Sequence, residues 1–128
     1  MTDHIELGKK GEAIATEHLV FLGFTILESN WRHKKMEVDI IALKDNVLIM
    51  VEVKTRGTRQ FGDPESFVDK KKQLMLADAA EEYILQNKLD VPVRYDIISV
   101  IIDEFHTIVM HIEDAFFPDN LGTHEAYY

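Results

Sequence analysis

Two neighbouring apolar runs of this chain carry charged residues at alternating positions. Glu37 and Asp39 fall within Met36 to Leu43, and Glu52 and Lys54 within Val47 to Arg56. Charge on strands this hydrophobic is costly unless it is paired or holds a metal. Carboxylates on adjacent strands can bracket a hard divalent cation such as Mg²⁺ or Mn²⁺, with water in the remaining positions. Asp39 and Glu52 suit that role, with the backbone carbonyl of Val53 as a further ligand and Glu12 completing or orienting the site from a preceding helix. Water near such an ion is a better nucleophile, and Lys54, on the same strand face as Glu52, can orient it or neutralise a phosphate oxygen. The competing readings are an ion pair between Glu52 and Lys54, local capping of Glu12, and simple solvent exposure of Glu37 at the strand entrance.

These residues need a sheet and a helix to position them. Val38 to Leu43 and Val47 to Lys54 around Lys44-Asp45-Asn46 read as a hairpin. Strict alternation then puts Glu37 and Asp39 on one face of their strand, and Glu52 and Lys54 on one face of the next. A first helix is expected from Asp3, with Glu6 as capping partner, to Gly23. Its inner stripe is expected to be Ile5, Gly8, Glu12, Ala15, Leu19 and Leu22. Phe24 to Trp31 reads as the first strand. The loop from Gly57 to Pro64 is expected to be mobile or substrate-facing. A second helix runs from Glu65 or Asp69 to Asn87, followed by strands over Val93 to Ile102 and Thr107 to Ile112. This order, α-β-β-β-α-β-β, predicts an α/β fold with a mixed sheet flanked by helices. Residues 1–117 are expected to form one domain, with poor order in the chain's end from Phe116 and in a tail over 118–128.

The chain has 128 residues, of which 46% are hydrophobic, enough for one core. It has no cysteine, which leaves oxygen and histidine as metal ligands. No long apolar run and no secretion signal begin the chain, so a cytoplasmic protein with no membrane partner is expected. The net charge of -9 argues against nucleic acid as a whole-chain number. However, residues 95–128 hold seven acidic residues and no Lys or Arg, whereas residues 1–94 hold 14 basic against 16 acidic. A basic rim around an acidic centre is therefore compatible with the composition. The six histidines form no metal-binding motif or close pair in sequence, and Trp31 is expected to pack rather than to stack on a base.

Several short motifs occur in order: Leu7 to Glu12, Asn30-Trp31-Arg32, Glu37 to Ala42, Val51 to Arg56, Phe61-Gly62 with Pro64, Lys71-Lys72-Gln73 and Arg94-Tyr95-Asp96. In these the chain resembles the YraN-like proteins, small bacterial predicted endonucleases similar to archaeal Holliday junction resolvases of the PD-(D/E)-x-K nuclease superfamily. Met36 and Val38 depart from the family's usual glycine and proline, and neither departure removes a ligand. The resemblance implies a restriction-endonuclease-like core and metal-dependent hydrolysis of branched or structured DNA. Asp39, Glu52 and Lys54 match its signature, Glu12 its helix glutamate and Gln73 its helix glutamine. Candidate phosphate contacts are Lys9, Lys10, Arg32, Arg56, Arg59, Lys70, Lys71 and Lys72, and a homodimer is implied. The rival expectations are a catalytically silent nucleic-acid-binding module and a protein-interaction domain using the acidic C-terminal region.

Overall fold

The computed structural model describes residues 4–57 and 68–118. Asp3, Arg59, the Phe61-Gly62-Pro64 motif, the early helix start at Glu65 and the tail beyond Pro118 lie outside them. Helix α1 spans His4–Phe21, strands β1, β2 and β3 span Thr25–His33, Met36–Lys44 and Val47–Arg56, and helix α2 spans Lys70–Asn87. Strands β4 (Val93–Ile102) and β5 (Thr107–Ile112) complete the expected order. The sheet runs β1-β2-β3-β4-β5, antiparallel except for the central β3–β4 pair, whose crossover contains α2.

Local sequence sets the element ends. At the end of α1, Phe24 N–H donates to Leu19 O and Gly23 N–H to Val20 O, with Gly23 at φ +93°. This closure needs a left-handed residue, a conformation that glycine adopts at no steric cost. Lys44 Nζ adds a 2.8 Å hydrogen bond to Leu22 O. Asp45 and Asn46, at φ 52° and 65°, make the two-residue turn between β2 and β3. Asp69 caps α2 by accepting from Lys72 N–H at 2.8 Å.

The sheet is covered on both faces. Ala15 and Leu19 of α1 pack with Ile40, Ala42, Ile49, Val51, Ile98 and Val100. Leu76, Ala80 and Tyr83 of α2 pack with Val38, Ile41, Leu48 and Met50. Full burial of one such aliphatic side chain stabilises the fold by roughly 1.5–3 kcal/mol. Trp31 packs edge-on against Tyr83, as expected, with ring centroids 5.6 Å apart.

The structure corrects several expectations. Ile5 and Leu22 are exposed, and the buried stripe of α1 is Gly11, Ala15 and Leu19. Gly11 rather than Gly8 makes the close approach to the sheet: a Cβ built on it would lie 2.6 Å from Thr55 Cγ2. Strand β1 continues to His33. Phe116 stacks on Tyr95, and Ala115 N–H donates to Tyr95 O at 2.7 Å, which ties the segment after β5 to β4.

Strict alternation in β2 also fails. Val38 and Ile41 belong to the α2-side core, whereas Ile40 and Ala42 belong to the α1 side. The phase slips beside Asp39, opposite Asn30, which lies between the pairs Ser29↔Ile40 and Trp31↔Val38 and takes φ 53°.

Candidate active site

Strands β2 and β3 pair from Lys44↔Val47 only as far as Ile40↔Val51, while β3 stays paired with β4 to Arg56↔Ile101. Beyond Val51 the β2 edge of β3 therefore has no ladder partner in β2. Asp39 sits at this opening, where its Oδ2 accepts the Val53 N–H at 2.8 Å in place of a backbone carbonyl. The N–H and C=O of one strand residue leave on the same edge, so the Val53 carbonyl also faces this side.

Glu52 follows Leu48 and Met50 on the face that α2 covers, and its Oε2 lies 3.4 Å from Lys72 Nζ in the first turn of α2. The ion pair considered for Glu52 and Lys54 is thus made with Lys72. Lys54 is half-buried two residues along β3, in register with Ser99 of β4. Glu12 follows Gly11, and the Gly11–Thr55 approach holds this part of α1 against β3.

The electrostatics mark Asp39 as the strained group. Burial, then the Glu52 charge, raises its pKa from 3.8 to about 7; Glu12 also raises it, while the Val53 N–H and Lys72 pull it down. A cation between Asp39 and Glu52 would relieve the repulsion that Lys72 only partly offsets. The donors there are oxygen only, which fits Mg²⁺ or Mn²⁺. Among the described residues, no group of three or more His, Asp or Glu side chains is placed to hold a metal ion, so Glu12 does not join Asp39 and Glu52 in a preassembled three-carboxylate site. An ion on Asp39, Glu52 and the Val53 carbonyl would therefore keep open positions for water and substrate oxygens, as Mg²⁺ usually does.

The remaining basic candidates are spread more widely. Lys9 and Lys10 are exposed on α1, and Lys70 to Lys72 begin α2. Arg56 ends β3, and Arg32 is an exposed partner of Glu37 at 3.3 Å. Gln73 donates to Val68 O at 2.8 Å, so its carboxamide fastens the entry to α2.

Two histidines far apart in sequence, both half-buried polar residues, meet in the fold. His18 Nε2 lies 3.1 Å from His111 Nδ1, and His111 Nε2 lies 2.8 Å from Asp96 Oδ2. Asp96 is 1% exposed and also accepts two bonds from Arg94, both at 2.9 Å, and one from Asp114 N–H at 3.0 Å. These donors hold its carboxyl below the usual range despite burial. Burial and His111 lower the pKa of His18. The one sequence signal for this network was Arg94-x-Asp96, which places both side chains on one strand face.

No helix among the described residues is long and apolar enough to cross a membrane. The chain is 50% identical to a UPF0102 protein of Christiangramia forsetii over 117 residues, covering 91% of this chain and 98% of that protein. It is 43% identical to one of Flavobacterium johnsoniae over 121 residues, covering 91% and 98%. For one of Bacteroides thetaiotaomicron the identity is 44% over 118 residues, covering 92% and 98%. The model of the uncharacterised protein family UPF0102 matches residues 11–100, from the glycine that seats α1 on β3 into β4, and so takes in Glu12, Asp39, Glu52 and Lys54. On this match and these near full-length relatives, the chain belongs to the family UPF0102.

Proposed function

We propose that this protein is a divalent-metal-dependent endonuclease that hydrolyses phosphodiester bonds in DNA, with branched or structured DNA as its substrate. The observation that carries the reading is the Asp39 carboxylate bonded to Val53 N–H where the β2–β3 ladder stops, with Glu52 on the adjoining strand. This arrangement leaves the Asp39 carboxylate beside an unladdered strand edge, with Glu52 next to it on the α2 face under Lys72.

A bound Mg²⁺ or Mn²⁺ would polarise the phosphoryl group and raise the acidity of water. Asp39, Glu52 and the Val53 carbonyl would hold the ion, with Glu12 adding negative charge from the α1 side. The Val53 N–H fixes the orientation of Asp39, so the carboxylate needs little rearrangement when it is used. Lys54 orients the attacking water or compensates the charge that builds on the phosphate oxygens. Lys72, already at Glu52, can move to a phosphate once the carboxylate has a different counter-charge.

The same Lys72–Glu52 pair favours a second reading, a silent nucleic-acid-binding module whose acidic centre is neutralised from within. Cleavage of labelled four-way junction, flap, single-stranded and duplex DNA with Mg²⁺ or Mn²⁺ separates the two. Under the nuclease reading the wild type cuts, while folded Asp39→Ala and Lys54→Ala do not. Binding without cutting supports the silent module, and variants that cut as well as wild type refute the assignment.

A further inference from the structure

Between the β1–β2 turn and the outer side of α2 lies a groove of about 1160 Å³ that the site does not use. Lys34 and Lys35 line it from the turn, and Lys71 and Lys72 from the start of α2. Met36, Met75 and Leu85 give it an apolar lining. It adjoins the site because Lys72, at its edge, is the lysine paired with Glu52. Asp69, whose carboxylate is engaged in capping α2 through Lys72 N–H, also lines the lysine end. Asp78, Glu81 and Glu82 lie further along α2, with Glu82 engaged by Gln86 at 3.0 Å and by His33 at 3.8 Å.

A lysine wall over an apolar lining is the chemistry that holds single-stranded nucleic acid, with phosphates on the charged wall and exposed base faces on the apolar surface. A duplex buries its base faces and would leave the methionines and leucine without a partner. The acidic stretch repels phosphate, so the basic track ends near Asp78. That is six residues beyond Lys72, or about 9 Å along the helix.

We propose that this groove seats a single-stranded DNA segment next to the reacting phosphate, held by Lys34, Lys35 and Lys71. This deepens the nuclease reading and rests on it for the identity of the neighbouring site. It makes the substrate one with an unpaired stretch, such as a flap or a junction arm opened at its base.

The test is salt-dependent binding of a labelled oligothymidine of about 15 nucleotides in EDTA, comparing wild type with the double variant Lys34→Gln/Lys35→Gln. Both lysines are exposed, and Gln keeps most of the stem, so folding is expected to survive. Each lost phosphate contact removes about 0.7 from the slope of log K against log salt, so the double variant should be shallower by about 1.4. Glu81→Gln should tighten binding of the single strand and leave blunt duplex of the same length unaffected. An unchanged slope in the double variant, or no binding of the single strand by wild type, overturns the proposal. Saturable binding of polyglutamate at these lysines in place of DNA would overturn it in favour of a protein partner. If metal-dependent cutting persists and is lost in Asp39→Asn while the slope is unchanged, the groove assignment fails and the nuclease reading stands. If Asp39→Asn cuts like wild type, the nuclease reading fails, and the proposal, which rests on it, falls too.

Discussion

Asp39→Asn should stabilise this protein at alkaline pH in the absence of divalent metal. The folded carboxyl titrates near 7, against 3.8 ordinarily, because burial and Glu52 disfavour its charge. That difference corresponds to roughly 4 kcal/mol between the charged and neutral forms. Asp39 is only half-buried and keeps part of its hydration, so about 1–3 kcal/mol should be recovered in unfolding. The sign follows from proton linkage. Between pH 4 and 7 the folded state binds more protons than the unfolded one, so the Asp39 contribution is full below about 4 and lost as pH rises through about 7. Asn removes this dependence, and its carbonyl oxygen can still accept the Val53 N–H. Urea denaturation in EDTA should therefore show the variant more stable at pH 8 and near parity with wild type at pH 5. Adding Mg²⁺ at pH 8 should stabilise wild type by mass action and the variant much less. A variant no more stable than wild type at pH 8, or a difference that ignores pH, would refute the reasoning.

Other perturbations probe other contacts. Gly11→Ala should cost about 1–3 kcal/mol in chemical denaturation through overpacking against Thr55. Thr55→Ala should relieve it only in part, since the Thr55 Cβ itself would lie 2.7 Å away. Lys72→Met removes the charge that pulls Asp39 down, so carboxyl titration followed by NMR should move Asp39 further up. His111→Leu deprives buried Asp96 of a donor and should cost about 1–3 kcal/mol, while Arg94→Leu, which removes a two-bond charged partner, should cost about 3–5 kcal/mol. His18 is held neutral by burial, so its contribution is present above about 6.5 and lost as pH falls through its lowered folded value. His18→Gln should flatten wild-type stability in that acid range.

The order of elements was legible because each boundary has a local cause: Gly23 after α1, Asp45-Asn46 between β2 and β3, Asp69 before α2. The limits of β4 and β5 are legible because breaking residues flank them: Pro92 before β4, Asp103-Glu104 after it and Glu113-Asp114 after β5. The phase slip at Asp39 was not legible. No pattern within β2 reports it, because the run is apolar on both sides of Asp39. Glu12, Asp39, Glu52 and Lys54 stood out as charges in apolar surroundings, but the role of Lys72 as partner to Glu52 required the docking of α2. His18 and His111 are 93 residues apart, and only the sheet brings β5 to the end of α1.

The early end of the β2–β3 ladder has a consequence for how the molecule breathes. From Glu52 onward β3 is bonded to β4 on one edge, and Asp39 supplies the stitch to β2 on the other. Segments secured on one side open locally without unfolding the core, so this end of β3 and the rest of the sheet have separate stabilities. Local opening there frees Asp39 and Glu52 without a global transition that a melt would report. Thermal survival is therefore a poor proxy for competence in this protein, and amide exchange at Val53 is the direct gauge.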